Sequence, residues 1–201
     1  MTPSLIISDL SELPRLGFKG RGTLGAMQAR RLQIENTPNR AFRQSDGSLC
    51  LVLAASEVFL LSAFEGDKGR FSELENGWRI EDGERTYPMP RRHSHAWFAL
   101  DGEAAPELFS KICAVDLRPR IFGDLAIAQT SVTRLNAIVL RADVAARRIY
   151  HLLADSAASA YMLACLKDAA EEFGGKIVGA PAFTSRVMAE TRHGKGGEAD
   201  E

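Results

Sequence analysis

A faint internal repeat constrains the fold of this chain more than any other feature of its sequence. Residues 15–61 contain, in order, an apolar strand, a glycine, a helix, a gap and a hairpin, and residues 95–154 contain the same order. Each copy would place a helix against one face of an antiparallel sheet. Short connections and right-handed crossovers then favour ferredoxin-like topology. The repeat therefore predicts an α+β protein with two ferredoxin-like lobes, each with helices on one face of its sheet.

Periodic apolar residues define the predicted elements. In residues 156–173 they recur every three or four positions, which predicts a helix capped by Asp155 or Ser156 and ended by Gly174-Gly175. A second helix is predicted at about 104–113. Short apolar runs between turn residues predict strands. These are the hairpins 49–61 and 136–154, the strands 95–100 and 126–133, and one weak strand within the connection 62–92.

The predicted boundaries divide the chain into three parts. Residues 1–92 form an N-terminal lobe with its connection, residues 93–183 form a C-terminal lobe, and residues 184–201 form a polar tail. The last residues of this tail are almost free of apolar side chains and should not contribute to a core. The segment 5–18 is rich in apolar residues. It either adds a strand to the first lobe or forms an interface with a partner chain.

Composition and charge exclude several classes of protein. The formal net charge is -1, so no overall field attracts the chain to nucleic acid or to an anionic membrane. No apolar run reaches the length of about 18 residues that a membrane helix needs, and the N-terminus lacks the features of a signal peptide. The three cysteines (Cys50, Cys113 and Cys165) are widely spaced, which fits a reducing compartment. We therefore expect a soluble, cytoplasmic protein.

A search for catalytic and metal-binding patterns yields no site. His93 and His95 would point to one face of a strand, as two metal ligands do, but no third ligand follows nearby. Cys113 lies on the apolar face of its helix, which indicates a structural role. Turns or a solvated surface explain the other candidates. These are Gly17, Gly20, Gly22, Gly25, Glu73, Glu75, Glu171 and Glu172. The pattern thus predicts no catalytic residue and no metal site, and leaves cofactor-binding residues unknown.

An ordered set of short motifs runs through residues 95–174. The set comprises Asp101-Gly102, Leu108-Phe109, Cys113, Asp116-Leu117, Phe122-Gly123, Ala128-Gln129-Thr130, Ile138-Val139-Leu140, Tyr150, Ser156, Tyr161 and Phe173-Gly174. In this order it resembles the aminomethyltransferase (T-protein) and sarcosine oxidase gamma families. In the N-terminal half of the chain, fewer residues resemble these families. They are Asp9-Leu10-Ser11, Arg15, Gly17, Gly20, Pro38-Asn39 and Glu57-Val58-Phe59-Leu60-Leu61. The resemblance implies that the two lobes have the folate-binding fold of T-proteins.

The resemblance also implies a role within a complex. Sarcosine oxidase gamma subunits belong to a heterotetrameric flavoenzyme that demethylates sarcosine oxidatively and passes the one-carbon unit to tetrahydrofolate. The larger subunits of that complex hold FAD, FMN and NAD, so this chain alone would bind no cofactor. Its partners would be the flavin-bearing alpha and beta subunits and the small delta subunit.

Two departures from the T-protein pattern argue against independent catalysis. T-proteins have an acidic residue that assists the folate-dependent transfer, whereas residues 133–140 contain no carboxylate. The chain is also much shorter than a complete T-protein. The favoured hypothesis is a non-catalytic gamma subunit. The alternatives are a stand-alone folate-binding, T-protein-like protein in one-carbon metabolism, and a diverged aminomethyltransferase domain that is active with a partner.

Overall fold

The computed structural model of the chain describes residues 5–66, 69–79 and 85–193. The strands are β1 (Ile6–Asp9), β2 (Arg15–Lys19), β3 (Arg40–Arg43), β4 (Leu49–Ala54), β5 (Glu57–Leu61), β6 (Tyr87–Pro90), β7 (His95–Asp101), β8 (Ile127–Val132), β9 (Leu135–Arg141), β10 (Ile149–Asp155) and β11 (Lys176–Val178). The helices are α1 (Thr23–Ala29), α2 (Arg70–Asn76), α3 (Ala105–Ile112), α4 (Ser159–Glu171) and α5 (Ala180–His193). No helix in the described part of the chain is long and apolar enough to cross a membrane.

The strands form two sheets. One has six strands in the order β11-β1-β7-β10-β9-β8, and the other has five in the order β3-β4-β5-β2-β6. Strand β1 pairs parallel with β11, and the other pairings between these strands are antiparallel. The structure thus confirms an α+β protein with antiparallel sheets.

Apolar clusters on both faces of each sheet define the layers. Helices α3 and α4 cover the outer face of the six-stranded sheet, where Phe109 and Leu166 are buried. Helices α1 and α2 cover the outer face of the five-stranded sheet through Met27 and Phe71. The two inner faces pack against each other, with Phe59 in the cluster that they share. The layers follow the order helices, sheet, sheet, helices. Two lobes with separate cores are not confirmed, because the sheets share this inner cluster.

Strand residues alternate between the inner and outer clusters. Along β4, Cys50 and Val52 belong to the cluster with the helices, whereas Leu51 belongs to the cluster between the sheets. Along β7, Phe98 faces the helices and Trp97 faces the other sheet. Because both faces are covered, these strands read as continuous apolar runs rather than as an apolar–polar alternation.

The predicted internal repeat is present in the topology. The order β2-α1-β3-β4-β5-α2-β6 recurs as β7-α3-β8-β9-β10-α4-β11. The first strand of each copy pairs with the fourth, the fourth with the third, and the third with the second. The copies differ at one point. Strand β6 pairs directly with β2, whereas β1 lies between β7 and β11.

The insertion of β1 shows that the predicted boundary is wrong. Residues 1–92 do not form one lobe, because Ile6–Asp9 pairs with β7 and β11, while Arg15–Lys19 belongs to the five-stranded sheet. Every apolar residue of the segment 5–18 except the partly buried Leu13 is buried. Of the two alternatives for this segment, an added strand or an interface, the structure supports added strands, since its apolar side chains lie in the core.

The sequence pattern missed two helices. Helix α2 lies in the region 62–92, where the sequence predicts only one weak strand at no defined position. Helix α5 extends to His193, so the polar tail does not begin at residue 184, and Phe183 and Val187 are buried in the inner cluster. The last part of that predicted tail (194–201) lies outside the described residues. The pattern missed α5 because only these two of its described side chains are buried in the cluster, and two apolar positions are too few to define a helical stripe.

Several glycines have positive φ angles, which other residues rarely adopt. Gly174 has φ 61 and follows α4, as predicted for the end of that helix. Gly20 has φ 150, and a Cβ atom there would lie 2.0 Å from the carbonyl oxygen of Arg85. Gly102, at the equivalent point of the second copy of the repeat, has φ 145. The repeat thus preserves this backbone conformation as well as the order of strands.

Candidate functional site

The two histidines considered as candidate metal ligands do not lie together on one strand. His93 is exposed in the turn before β7, and only His95 lies on the strand. The Nδ1 atom of His95 shares a hydrogen bond of 2.8 Å with Ser94 Oγ, and its ring packs edge-on against Phe59. Burial, followed by the charges of Arg91 and Arg15, lowers the pKa of His95 to about 4. The described residues contain no group of three or more side chains that could hold a metal ion.

The other candidates lie on separate elements. The carboxylates Glu73 and Glu75 are on α2, and those of Glu171 and Glu172 are at the end of α4, where Glu172 forms an ion pair of 2.9 Å with a lysine of α3. Cys113 is buried in the outer cluster, but it lies just past the end of α3 in an extended conformation and not on the helix. These residues therefore form no common site.

The segment 133–140 lies beside a shallow groove. The groove has a volume of about 420 Å³ and is lined by residues of β7, β8, β9 and β10. They are His95, Gln129, Thr130, Asn136, Ala137, Ile138 and Leu153. No carboxylate is among them, and the low pKa of His95 makes its imidazole neutral and weakly basic at physiological pH. The groove can therefore donate and accept hydrogen bonds, but it has no acidic group to stabilise a positive charge.

The hairpin turn next to this groove has a strained backbone. Thr133 and Arg134 join β8 to β9, and their φ angles are 50 and 69. A two-residue hairpin turn with positive φ at both positions is a type I′ turn, for which Asn-Gly is the favoured sequence and a β-branched residue is poorly suited. The turn is held by Thr133, whose N–H donates to the carbonyl of Ile112 and whose carbonyl accepts a bond of 3.4 Å from the half-exposed Tyr161 hydroxyl. Strain of this kind is concentrated at functional sites.

A second concavity lies between the two sheets. This inter-sheet cavity has a volume of about 360 Å³ and opens between the β3–β4 turn, the end of β5, the β9–β10 turn and α5. His151 and Trp97 line it from the six-stranded sheet, and Ser62 and Phe64 line it from the chain that follows β5. The indole Nε1–H of Trp97 donates to His151 Nδ1 at 3.0 Å. The cavity is separate from the groove, because it lies at the opposite end of β9.

Neither Ser62 nor His151 was predicted as a site residue. The available signal for His151 was its position in the middle of the apolar run of β10, where a polar side chain must find a partner. Ser62 gives no signal in the sequence, because its place in the cavity depends on the packing of two distant sheets.

Comparisons with known proteins identify the fold. No protein-family model and no curated protein matches the sequence. Among solved structures, a chain of the heterotetrameric sarcosine oxidase from Corynebacterium sp. U-96, in complex with pyrrole 2-carboxylate, matches with a TM-score of 0.71 and 18% identity. The match covers 87% of each chain. The aminomethyltransferase T of the glycine cleavage system from Bartonella henselae matches with a TM-score of 0.63 and 11% identity, over 88% of this chain and 48% of that one. The resemblance predicted from the sequence is thus confirmed at the level of the fold, and the chain spans about half the length of the aminomethyltransferase.

Proposed function

We propose that the chain is a non-catalytic, gamma-type subunit of a heterotetrameric sarcosine oxidase-like flavoenzyme. The observation that carries this proposal is the extent of the fold match. It covers 87% of this chain and 87% of a chain from a heterotetrameric sarcosine oxidase, but only 48% of the aminomethyltransferase. The sarcosine oxidase chain is thus matched over most of its length, whereas only about half of the aminomethyltransferase is matched.

The groove beside the hairpin turn supports the same proposal. In the resembling T-proteins an acidic residue of the corresponding segment assists the folate-dependent transfer, and here the lining residues of the groove are neutral or apolar. Without a carboxylate, the groove can neither accept a proton efficiently at physiological pH nor stabilise a developing cation. This observation weighs against the third hypothesis, an active aminomethyltransferase domain.

The proposed complex supplies the cofactors. Alpha and beta subunits would carry FAD, FMN, NAD and the site for tetrahydrofolate, and a small delta subunit would complete the assembly. The complex would demethylate sarcosine oxidatively in the cytoplasm. The chain itself would contribute an interaction surface and no reacting group.

A stand-alone folate-binding protein is the second candidate. The match to the aminomethyltransferase fold and the polar groove of about 420 Å³ favour it. Its groove would hydrogen-bond a pterin through uncharged groups such as Gln129 and Asn136. It differs from the first proposal in needing no flavoprotein partner.

Co-expression distinguishes the two candidates. The full chain is produced alone and together with the alpha, beta and delta subunits of a sarcosine oxidase from the same organism. We expect equimolar co-purification, peroxide formation from sarcosine by the complex, and neither peroxide formation nor methylene transfer to tetrahydrofolate by the chain alone. A stable monomer that is not captured by these subunits but binds tetrahydrofolate would favour the second candidate. Turnover by chain that is free of flavoprotein would overturn the non-catalytic assignment.

A further inference from the structure

The hydroxyl of Ser62 is an unusual feature of the inter-sheet cavity. Ser62 is only 3% exposed, and its Oγ has no hydrogen-bond partner among the residues that the structure describes. Its backbone N–H is used, since it donates to the carbonyl of Pro14 at 3.1 Å. Buried polar groups are nearly always paired, so an unpaired hydroxyl in the wall of a cavity is available to a water molecule or a ligand that binds there.

His151 provides a second polar group with a defined proton position. The indole N–H of Trp97 donates a hydrogen bond to Nδ1 of His151, so Nδ1 is an acceptor and carries no proton. The neutral imidazole therefore carries its proton on Nε2. Burial, with a smaller contribution from the charge of Arg43, lowers the pKa of His151 to about 3. The ring is therefore neutral at physiological pH and offers one N–H donor.

The remaining surfaces favour a flat and uncharged occupant. The rings of Phe64 and His151 are nearly parallel, with centroids 5.9 Å apart and an angle of 22° between their planes. Charged side chains occur at the rim, but they are paired within the protein. Arg43 contacts Asp124 at 3.0 Å, and Asp46 and Asp143 bind other arginines. These three charged groups are thus already paired and do not require a charged ligand.

We propose that the inter-sheet cavity binds a small, uncharged, planar ring that carries both a hydrogen-bond acceptor and a donor, as a lactam does. His151 donates to the acceptor, the Ser62 hydroxyl pairs with the donor, and Phe64 packs against the ring. The volume of about 360 Å³ lies in the range of small-ligand sites and suits one or two fused rings. This inference does not depend on the proposed subunit role, because it uses no residue of the groove and no partner chain.

The two tryptophans give a site-specific assay. Trp97 lines the cavity, whereas Trp78 lies in the outer cluster of the five-stranded sheet and donates its indole N–H to the carbonyl of Thr86. The full chain, labelled with ¹⁵N, is titrated with 2-quinolinone, a two-ring lactam. We expect a saturable shift of the Trp97 indole signal and an unchanged Trp78 signal. 1-Methyl-2-quinolinone, which lacks the donor, should bind more weakly.

Two serine variants separate ligand recognition from stability. Ser62→Ala should weaken binding of 2-quinolinone by about threefold to tenfold, the value of one hydrogen bond, and should leave the fold intact because the hydroxyl has no described protein partner. Ser8→Ala is the matched control, since Ser8 on β1 is also buried with an unpaired hydroxyl but does not line the cavity. Unchanged affinity in Ser62→Ala, or no saturable shift at Trp97 up to the solubility of the probe, would overturn the proposal and leave a hydrated cavity.

Discussion

Protonation of His151 should destabilise the folded protein in mild acid. His151 is 1% exposed, and burial lowers its pKa from 6.5 to about 3. In the unfolded chain the ring has its ordinary pKa. Between these two values the unfolded state therefore binds more protons than the folded state. Stability must then fall as the pH falls through this window, and it must be regained as the pH rises above the unfolded pKa.

The magnitude follows from the distance in pH below the unfolded pKa. At about pH 4.5 the unfolded ring is almost fully protonated, while the folded ring, with a pKa of about 3, is still neutral. Two pH units at 1.36 kcal/mol each give a loss of about 2.7 kcal/mol relative to about pH 7.5. For a domain of ordinary stability this is a large fraction of the free energy of unfolding.

Urea titrations followed by far-UV circular dichroism measure this loss. The wild type and the variant His151→Gln are compared at several pH values between about 7.5 and 4.5. Other groups, including His95 with its lowered pKa, titrate in both proteins, so the difference between the two pH profiles isolates His151. The glutamine carbonyl can still accept the Trp97 N–H. We expect the wild type to lose about 2.7 kcal/mol more than the variant. Parallel profiles would refute the reasoning, because they would show that His151 is accessible to protons in the folded state.

Two further predictions concern the backbone. Gly20→Ala should cost about 3 kcal/mol in chemical denaturation, because φ is 150 and the new Cβ would meet the Arg85 carbonyl, whereas Gly25→Ala in α1, which meets nothing within 4 Å, should gain about 0.5–1 kcal/mol. Equal midpoints for these two variants would contradict the geometry. Replacing Thr133-Arg134 by Asn-Gly should raise the free energy of unfolding by about 1–2 kcal/mol, because both positions have positive φ. A free energy of unfolding below that of the wild type would mean that the contacts of Thr133 stabilise the protein by more than the strain of the turn destabilises it.

Elements with a local signal were predictable from the sequence. Helix α4 shows a regular apolar stripe ended by Gly174, and the hairpin of β4 and β5 shows two apolar runs around a short turn. Strand β1 and helix α5 were not placed correctly, because their positions depend on partners far along the chain. The apolar residues of β1 could as well have joined the first sheet or an interface. Only packing against β7 and β11 decides between these outcomes.

The two candidate sites also differ in how far the sequence alone predicts them. The missing carboxylate in residues 133–140 could be seen in the sequence, and the structure adds that this segment borders a groove. The inter-sheet cavity could not be predicted, since Ser62 follows a strand of one sheet, His151 lies in the other sheet, and neither belongs to a recognisable motif. Metal and nucleophile patterns are local in sequence, whereas a pocket formed between two sheets is a property of the tertiary structure.

The position of β1 also bears on how the chain folds while it is being synthesised. The five-stranded sheet is built entirely from residues 15–90 and can be completed on the ribosome before the second half emerges. Strand β1 emerges earlier still, but its neighbour β11 is made only after the rest of the second copy of the repeat, from β7 to α4. Contacts between residues so distant in sequence form late, because closing a long loop costs entropy before any contact repays it. Strand β1 is therefore synthesised before the other described strands but is among the last to be enclosed on both sides, and the nascent chain carries its exposed apolar residues throughout that interval.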